Sequence, residues 1–183
     1  THYNEISNDG RTIYAATRST GQIEEGGVGF AFTAVDRGAV SWRFKSLDSP
    51  WPFVMITSPV DRRLAIAPHS DEGNVCREVR ASAWGAAPIA QTEFRIDDQP
   101  WRPMVGGDDG LFGAELKALD GPFRLSVRVI DQQGNRDTDT IDVTPYVAAE
   151  HKPTGSDAGS IGAWQARHLL GTQLGPNRNG RKW

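Results

Sequence analysis

Histidine is the side chain best suited to bind a metal or move a proton near neutral pH, and the chain contains four of them. They are His2, His69, His151 and His168. No two have the spacing of a shared metal site, and the HExxH, CxxC and GxSxG patterns are absent. Cys76 is the single cysteine, so neither an intrachain disulfide nor a thiolate zinc cluster can form. We expect His69 and His151 to be solvated and His168 to belong to the apolar stripe of a predicted C-terminal helix. His2 is the histidine whose neighbours suggest a role.

Acidic residues lie at or close to several predicted turns, namely Asp97-Asp98, Asp108-Asp109, Asp131, Asp137 and Asp139. Carboxylates at the end of a β-sandwich could bind Ca²⁺, which prefers several oxygen ligands. Asp and Asn also stabilise turns directly, and the sequence has no EF-hand register. We therefore interpret these residues mainly as turn residues and keep calcium as the alternative.

Tryptophan is abundant, with six residues in the chain. Trp42, Trp51, Trp84 and Trp101 could stack on sugar rings in a carbohydrate-binding module. Large aromatic residues near sandwich strands more often fill the core and the sheet edges. Packing is therefore the expected role, above all for Trp84 and Trp101.

The first 50 residues are predicted to form strands of a separate domain. Thr12–Thr17, Val28–Asp36 and Val40–Leu47 are rich in β-branched and aromatic residues and are bounded by turn residues. Asp36-Arg37-Gly38 predicts an antiparallel hairpin between the second and third of these. Ser49-Pro50-Trp51-Pro52 interrupts the strand pattern, because proline fixes φ and removes a hydrogen-bond donor. A domain boundary is predicted there.

Residues 53–146 are predicted to form an immunoglobulin or fibronectin type III-like β-sandwich, because short strands alternate with turns along the whole segment. In Phe123–Val129 every odd-numbered residue is apolar and every even-numbered one polar, so one face should be buried. The Gly-rich segment 106–110 lacks the Lys-Ser/Thr of a phosphate-binding loop and is predicted to be a turn. The seven predicted strands are Phe53–Ser58, Val75–Trp84, Ile89–Ile96, Trp101–Met104, Leu111–Leu119, Phe123–Ile130 and Thr138–Val143.

Residues 147–183 form a tail of different composition. An apolar stripe at helical spacing predicts one short helix over Ser160–Thr172, followed by Gly175-Pro176 as a stop signal. The expected fold class is therefore all-β with a short C-terminal helix.

Charge and hydropathy exclude several classes of partner. Twenty Lys and Arg against 23 Asp and Glu leave a net charge of -3, and no basic stripe predicts a nucleic-acid groove. The apolar runs, such as Val28–Val35, are much shorter than the roughly 20 residues of a membrane-spanning helix. The single cysteine favours a reducing compartment such as the cytoplasm, with export left open. Because the sequence starts at Thr1 without Met, we expect it to be part of a longer protein.

The beginning of the chain resembles a known enzyme family. The segment Thr1-His2-Tyr3-Asn4-Glu5, followed by a polar turn and the strand around Ile13–Ala16, resembles the end of the last metal-binding motif of calcineurin-like metallophosphoesterases. In that family the motif is Gly-His-Thr/Asp-His, and Thr1-His2 would be its final two residues. The segments RSTGQIEEGGVGF and VDRGAVSWRFKSLDSPWPFVMITSPVDRRL are similar to the C-terminal strands of bacterial members and their exit into an appended immunoglobulin-like module. The final segment GTQLGPNRNGRKW resembles the end of the same subgroup, so the resemblance covers nearly the whole chain.

This resemblance implies a two-metal centre that hydrolyses phosphoesters in a longer parent protein. Two divalent cations, Mn, Fe or Zn, would bind the phosphoryl oxygens and activate a water molecule. His2 would be one imidazole ligand, and only together with the missing N-terminal part. The family's Asp-x-His, Gly-Asp-x-x-Asp and Gly-Asn-His motifs do not occur in these residues. The resemblance thus implies no catalytic residue, no cofactor-binding residue and little activity in this chain alone.

Three interpretations follow. The chain is the C-terminal region of a metal-dependent phosphoesterase, or a non-catalytic immunoglobulin-like accessory or interaction module, or a structural fragment. In the first and third cases, strands without their sheet would leave open edges, so we expect the chain to bind its missing catalytic portion or to self-associate.

Overall fold

The computed structural model describes residues 3–6, 13–16, 28–37, 39–62, 64, 77–107, 109–117 and 121–144. Within these ranges the protein is all-β and every strand pairing is antiparallel. No helix in the described ranges has the length and apolar character needed to cross a membrane. The helix predicted over Ser160–Thr172, with the whole tail 147–183, lies outside the described residues.

The described ranges contain twelve strands, which we number in chain order. The first four form two hairpins: β1 (Tyr3–Ile6) with β2 (Ile13–Ala16), and β3 (Gly29–Asp36) with β4 (Ala39–Ser46). The other eight are β5 (Phe53–Ser58), β6 (Glu78–Trp84), β7 (Ile89–Ile96), β8 (Arg102–Pro103), β9 (Val105–Gly106), β10 (Leu111–Glu115), β11 (Phe123–Asp131) and β12 (Arg136–Val143).

Strands β5 to β12 form two four-stranded sheets with one core between them. The order is β5-β6-β10-β9 in the first sheet and β12-β11-β7-β8 in the second, which is an immunoglobulin-like arrangement. The core takes alternate residues from both sheets, including Val54, Val79, Phe94, Leu125 and Val127, each at most 1% exposed. The alternation seen in the sequence of β11 therefore reflects its true buried and outer faces.

One predicted strand is shorter in the structure. Of the segment predicted as a strand, Trp101–Met104, only Arg102–Pro103 forms one, β8 in the second sheet, and β9 of the first sheet begins directly after the segment. Met104 lies between them; its side chain is buried in the core and its N–H donates to the Thr92 carbonyl at 2.9 Å. The chain crosses between the sheets at this residue because an apolar side chain there is directed into the core. The strand predicted over Leu111–Leu119 also ends earlier, at Glu115.

The predicted hairpin at Asp36-Arg37-Gly38 is confirmed. Asp36 pairs with Ala39, and Arg37 has a φ of 48°, the left-handed conformation that two-residue hairpin turns require. The strand Tyr3–Ile6, by contrast, was not expected from the sequence. The Gly-rich turn is also confirmed: it joins β9 to β10, with Gly110 at a φ of +76° and the Gly107 N–H donating to the Leu111 carbonyl.

Candidate functional site

The sequence-based site residue lies outside the described part of the chain. His2 belongs to residues that the structure does not describe, as do His69, His151, His168 and Cys76. Among the described residues there is no group of three or more His, Cys, Asp or Glu side chains placed to hold a metal ion. The ligands implied by the phosphoesterase resemblance therefore stay a prediction.

The described residues instead bring two carboxylates to an open side of the sandwich. Strand β5 is an edge strand, so backbone groups on its outer side have no neighbouring strand. The Val54 N–H donates to Asp137 Oδ2 and the Ile56 N–H donates to Asp139 Oδ2, each at 2.8 Å. Both carboxylates come from β12, the edge strand of the opposite sheet, so they close the gap between the two sheets.

Arg43 of β4 completes this arrangement, and we call Arg43, Asp137 and Asp139 the edge cluster. The Arg43 guanidinium donates to both Asp137 oxygens and to the Val54 and Thr138 carbonyls, with Nη2 at 3.0 Å from Asp137 Oδ1 and from the Thr138 oxygen. Its Nε lies 3.5 Å from Asp139 Oδ1. A planar guanidinium with five donors can serve all these acceptors at once, which a lysine cannot.

Burial changes the protonation behaviour of the edge cluster. The side chain of Asp139 is 14% exposed. Burial raises its pKa above the ordinary value of 3.8, against the opposing effects of the Arg43 charge and of hydrogen bonds from the Ile56 and Thr140 N–H groups. The edge cluster is thus a desolvated group of one cation and two carboxylates, in which a single guanidinium faces both acids.

Further contacts attach the β3–β4 hairpin to the sandwich. Phe32 stacks on Phe53 and on Trp84, with ring centroids 4.8 Å and 4.6 Å apart. Asp36 accepts a hydrogen bond from Thr57 Oγ1 at 2.9 Å and pairs with Arg80 Nε at 3.1 Å. The hairpin is therefore joined to the sandwich by apolar and ionic contacts on both sides of the boundary predicted near residue 50.

A small cavity lies beside the edge cluster. It has a volume of about 150 Å³ and is lined by residues of β4, β5 and β12, among them Ser41, Trp42, Arg43, Ile56 and Asp139. At about 30 Å³ per water molecule, this volume suits a few waters or a very small ligand. Two of the charged groups at its wall, Arg43 and Asp139, are already paired with each other.

The turn interpretation fits Asp131. One Asp131 oxygen accepts from the N–H groups of Gln133 and Asn135, both at 2.9 Å, and the other accepts from Asn135 Nδ2 at 3.0 Å. These bonds, the Asn135 side-chain bond above all, lower the pKa of Asp131. The carboxylate is thus used by its own β11–β12 turn, which disfavours the calcium alternative at this position.

The sequence interpretation missed the role of Asp137 and Asp139. Both are odd-numbered, like the buried Ile141 and Val143, so the alternation of side chains along β12 places them on the inner face of the strand. This alternation is the signal in the sequence that could have identified them. The partner, Arg43, could not be identified because it lies 94 residues from Asp137.

The tryptophans have different environments. Trp84 packs against Phe32 and Phe53, as expected for a packing residue. Trp51 is 37% exposed, and Lys45 Nζ lies 4.8 Å from its ring centroid. Trp101 is contacted by two arginines: the guanidinium carbons of Arg95 and Arg128 lie 4.8 Å and 4.3 Å from its ring centroid.

An open groove lies next to Arg95, where β7 ends, β11 begins and β12 ends. We call it the end groove; its volume is about 510 Å³. Its wall is mainly charged, with Pro122, Phe123 and Val143 as the apolar part. The charged lining residues are Arg62, Arg95, Arg124, Asp97, Asp98 and Asp142.

Comparison with protein-family profiles finds no match, and comparison with curated protein sequences finds none either. Among solved structures, the sulfane dehydrogenase SoxCD from Paracoccus pantotrophus is similar, with 17% sequence identity and a TM-score of 0.39. The similarity covers 52% of this chain and 25% of that chain. At this level the similarity carries no argument about function.

Proposed function

We propose that the chain is the C-terminal region of a bacterial calcineurin-like, metal-dependent phosphoesterase and carries an immunoglobulin-like module. The observation that carries the proposal is the sequence around Thr1-His2, together with the similar segments that run into and beyond the β3–β4 hairpin. In this proposal residues 1–50 are the terminal strands of the hydrolase domain. Residues 53–146 are the appended sandwich.

The contacts of the hairpin support a mechanical role for the sandwich. Arg43 and Phe32 belong to the part assigned to the hydrolase domain, and their partners Asp137 and Phe53 belong to the sandwich. A module attached through a half-buried ion pair and stacked rings would be held at a fixed position beside a catalytic domain. It could therefore shape the substrate entrance of the parent enzyme.

The metal chemistry would depend on residues beyond this chain. Edge-cluster carboxylates are already used by Arg43 and by backbone N–H groups, so they do not fit a metal pair. His2 would supply one imidazole, and the remaining ligands of the Mn, Fe or Zn pair would precede Thr1. The 183-residue chain alone is accordingly proposed to be inactive.

The test uses the reading frame upstream of Thr1. The proposal expects Gly-His immediately before Thr1 and Asp-x-His farther upstream. The extended protein, supplied with Mn²⁺, should hydrolyse bis-p-nitrophenyl phosphate or p-nitrophenyl phosphate. His2→Asn should lower kcat/KM by roughly 100-fold or more, because a ligand of the metal centre is lost. His69→Asn is the matched control and should leave kcat/KM unchanged.

Two results would contradict this proposal. One is an upstream sequence without the Gly-His and Asp-x-His motifs. The other is an active extended protein whose kcat/KM is the same with His2 and with Asn at that position.

The alternative is a non-catalytic immunoglobulin-like accessory or interaction module. The end groove favours it, since its volume of about 510 Å³ lies within the range of small-molecule sites, roughly 300–1,000 Å³. An unrelated domain or a start codon directly upstream of Thr1 would support this alternative over the enzyme.

A further inference from the structure

Some charged side chains of the end groove are paired with one another, and others are not. Asp142 is shared by Arg124, at 3.4 Å, and by Arg62, at 3.9 Å. Asp97 Oδ1 accepts the Arg124 N–H at 2.9 Å. Arg95 and Asp98 have no ion-pair partner within the described ranges, so one cation and one anion of the groove are available to a ligand.

Trp101 holds Arg95 in place. The guanidinium of Arg95 lies against the ring, which it shares with Arg128. Arg128 is neutralised by Glu93, with Nη2 and Oε2 2.5 Å apart, whereas Arg95 has no carboxylate partner among the described residues. The cation at the groove wall is therefore held by stacking and not balanced by a neighbouring acid.

Arg95 also has an unused donor. Its Nε is buried and has no hydrogen-bond acceptor in the described part of the chain. A buried donor without an acceptor is unfavourable, and such groups commonly mark the position of a ligand or an ion. Because Nε itself is buried, a ligand in the groove would use the terminal Nη groups, and the rigid, planar guanidinium lets one acceptor group bind both through two parallel hydrogen bonds.

We propose that the end groove binds a carboxylate carried by a hydroxylated ligand, of the uronic-acid class found in acidic glycans. The planar fork of Arg95 matches the two oxygens of a carboxylate. Asp98, exposed on the turn after β7, accepts hydrogen bonds from ligand hydroxyl groups. Three arginines and three aspartates give a lining with no net charge, which selects a single negative charge over a polyanion. This site does not depend on the phosphoesterase proposal.

The experiment is a titration of the 183-residue chain with glucuronate, monitored by calorimetry or by backbone amide shifts. Glucose, acetate and inorganic phosphate are the comparison ligands. Glucuronate should bind at least tenfold more tightly than glucose, and amides around the end groove should shift.

Arg95→Gln should lower the affinity for glucuronate about tenfold or more, since a charge-assisted hydrogen bond is lost. Arg136→Gln is the matched control, because Arg136 is exposed on β12 and does not line the groove; it should change nothing.

A second variant avoids the contacts with Trp101. Asp98→Ala should weaken glucuronate binding about threefold to tenfold and leave acetate binding unchanged, because only the hydroxylated ligand uses the Asp98 carboxylate. Near-ultraviolet circular dichroism of the tryptophans checks that each variant is folded.

Several outcomes would overturn the inference. They are glucuronate binding no tighter than glucose, equal affinities in Arg95→Gln and Arg136→Gln, or an Asp98→Ala variant that binds glucuronate as well as the unmodified chain does. Phosphate that binds more tightly than glucuronate, and depends on Arg95, would replace the uronic-acid class by a general oxyanion site.

Discussion

Replacing Arg43 by Gln tests the edge cluster most directly. The change removes the cation between Asp137 and Asp139 and leaves two carboxylates facing each other at the edge of β5. The side chains of Arg43, Asp137 and Asp139 are 23%, 22% and 14% exposed. Breaking a fully buried ion pair typically costs about 3–5 kcal/mol, and breaking an exposed one about 0–1 kcal/mol. For this partly buried cluster we expect a loss of about 2–4 kcal/mol in the free energy of unfolding.

The assay is urea unfolding near pH 7, followed by tryptophan fluorescence. Arg37→Gln is the matched control, because Arg37 pairs with Glu78 at 2.9 Å but is 72% exposed. It should lower the free energy of unfolding by about 0.5 kcal/mol or less. If Arg43→Gln costs no more than Arg37→Gln, the edge cluster does not stabilise the attachment of the hairpin.

A double variant separates the lost charge balance from the lost contacts. Adding Asp137→Asn to Arg43→Gln removes one of the unbalanced carboxylates while an amide oxygen can still accept the Val54 N–H. We expect this second change to recover about 1 kcal/mol or more. No recovery would mean that lost hydrogen bonds, and not the unpaired charge, explain the effect.

Four further predictions concern pH, packing and a turn. The pKa of Asp139 is raised, chiefly by burial, so the contribution of Asp139 to stability falls as pH increases above 3.8. The free energy of unfolding should be measured from pH 3 to 7 for the unmodified chain and for Asp139→Asn. The difference between the two should decrease as pH rises. The pKa of Asp131 is lowered, chiefly by the Asn135 side chain, so the contribution of Asp131 to stability is present above pH 3.8 and lost below it. The difference in free energy of unfolding between the unmodified chain and Asp131→Asn should therefore increase as pH rises. Phe32→Ala removes two stacked contacts and should cost about 2–4 kcal/mol in urea unfolding, whereas a loss below about 1 kcal/mol would show that the stack is not needed. Gly110→Ala should lower the thermal unfolding temperature more than Gly134→Ala does. Both glycines have positive φ, but only at Gly110 would a Cβ lie 2.8 Å from a carbonyl oxygen. Equal decreases in the unfolding temperature would refute this steric argument.

Most of the strand pattern could be predicted from the sequence. Phe53–Ser58 and Ile89–Ile96 have the predicted bounds, and the all-β fold is confirmed. Alternating apolar and polar residues identify the buried face of a strand because the side-chain period is two, whatever the strand packs against. The errors occur where tertiary contacts decide the strand ends, as at Met104, which is predicted to belong to a strand but lies with its side chain in the core between β8 and β9.

The sites depend on information that no local pattern contains. Arg43 and Asp137 are 94 residues apart, and the sequence does not show that β4 would lie beside the gap between β5 and β12. Strand pairing sets which residues are neighbours within one sheet, but contacts between sheets and hairpins depend on how complete layers pack. The edge cluster became visible only when these layers were placed together.

Patterns among neighbouring residues are enough to identify the all-β class, the inner and outer faces of the strands and the resemblance around His2, because each is a local property of the chain. Only packing between distant segments places Arg43 between Asp137 and Asp139, and stacks Arg95 on Trp101 at the wall of a groove where it has no acid partner among the described residues. The physical reason is that a charge acquires its function from the groups within a few ångströms, and folding chooses those groups from distant parts of the chain.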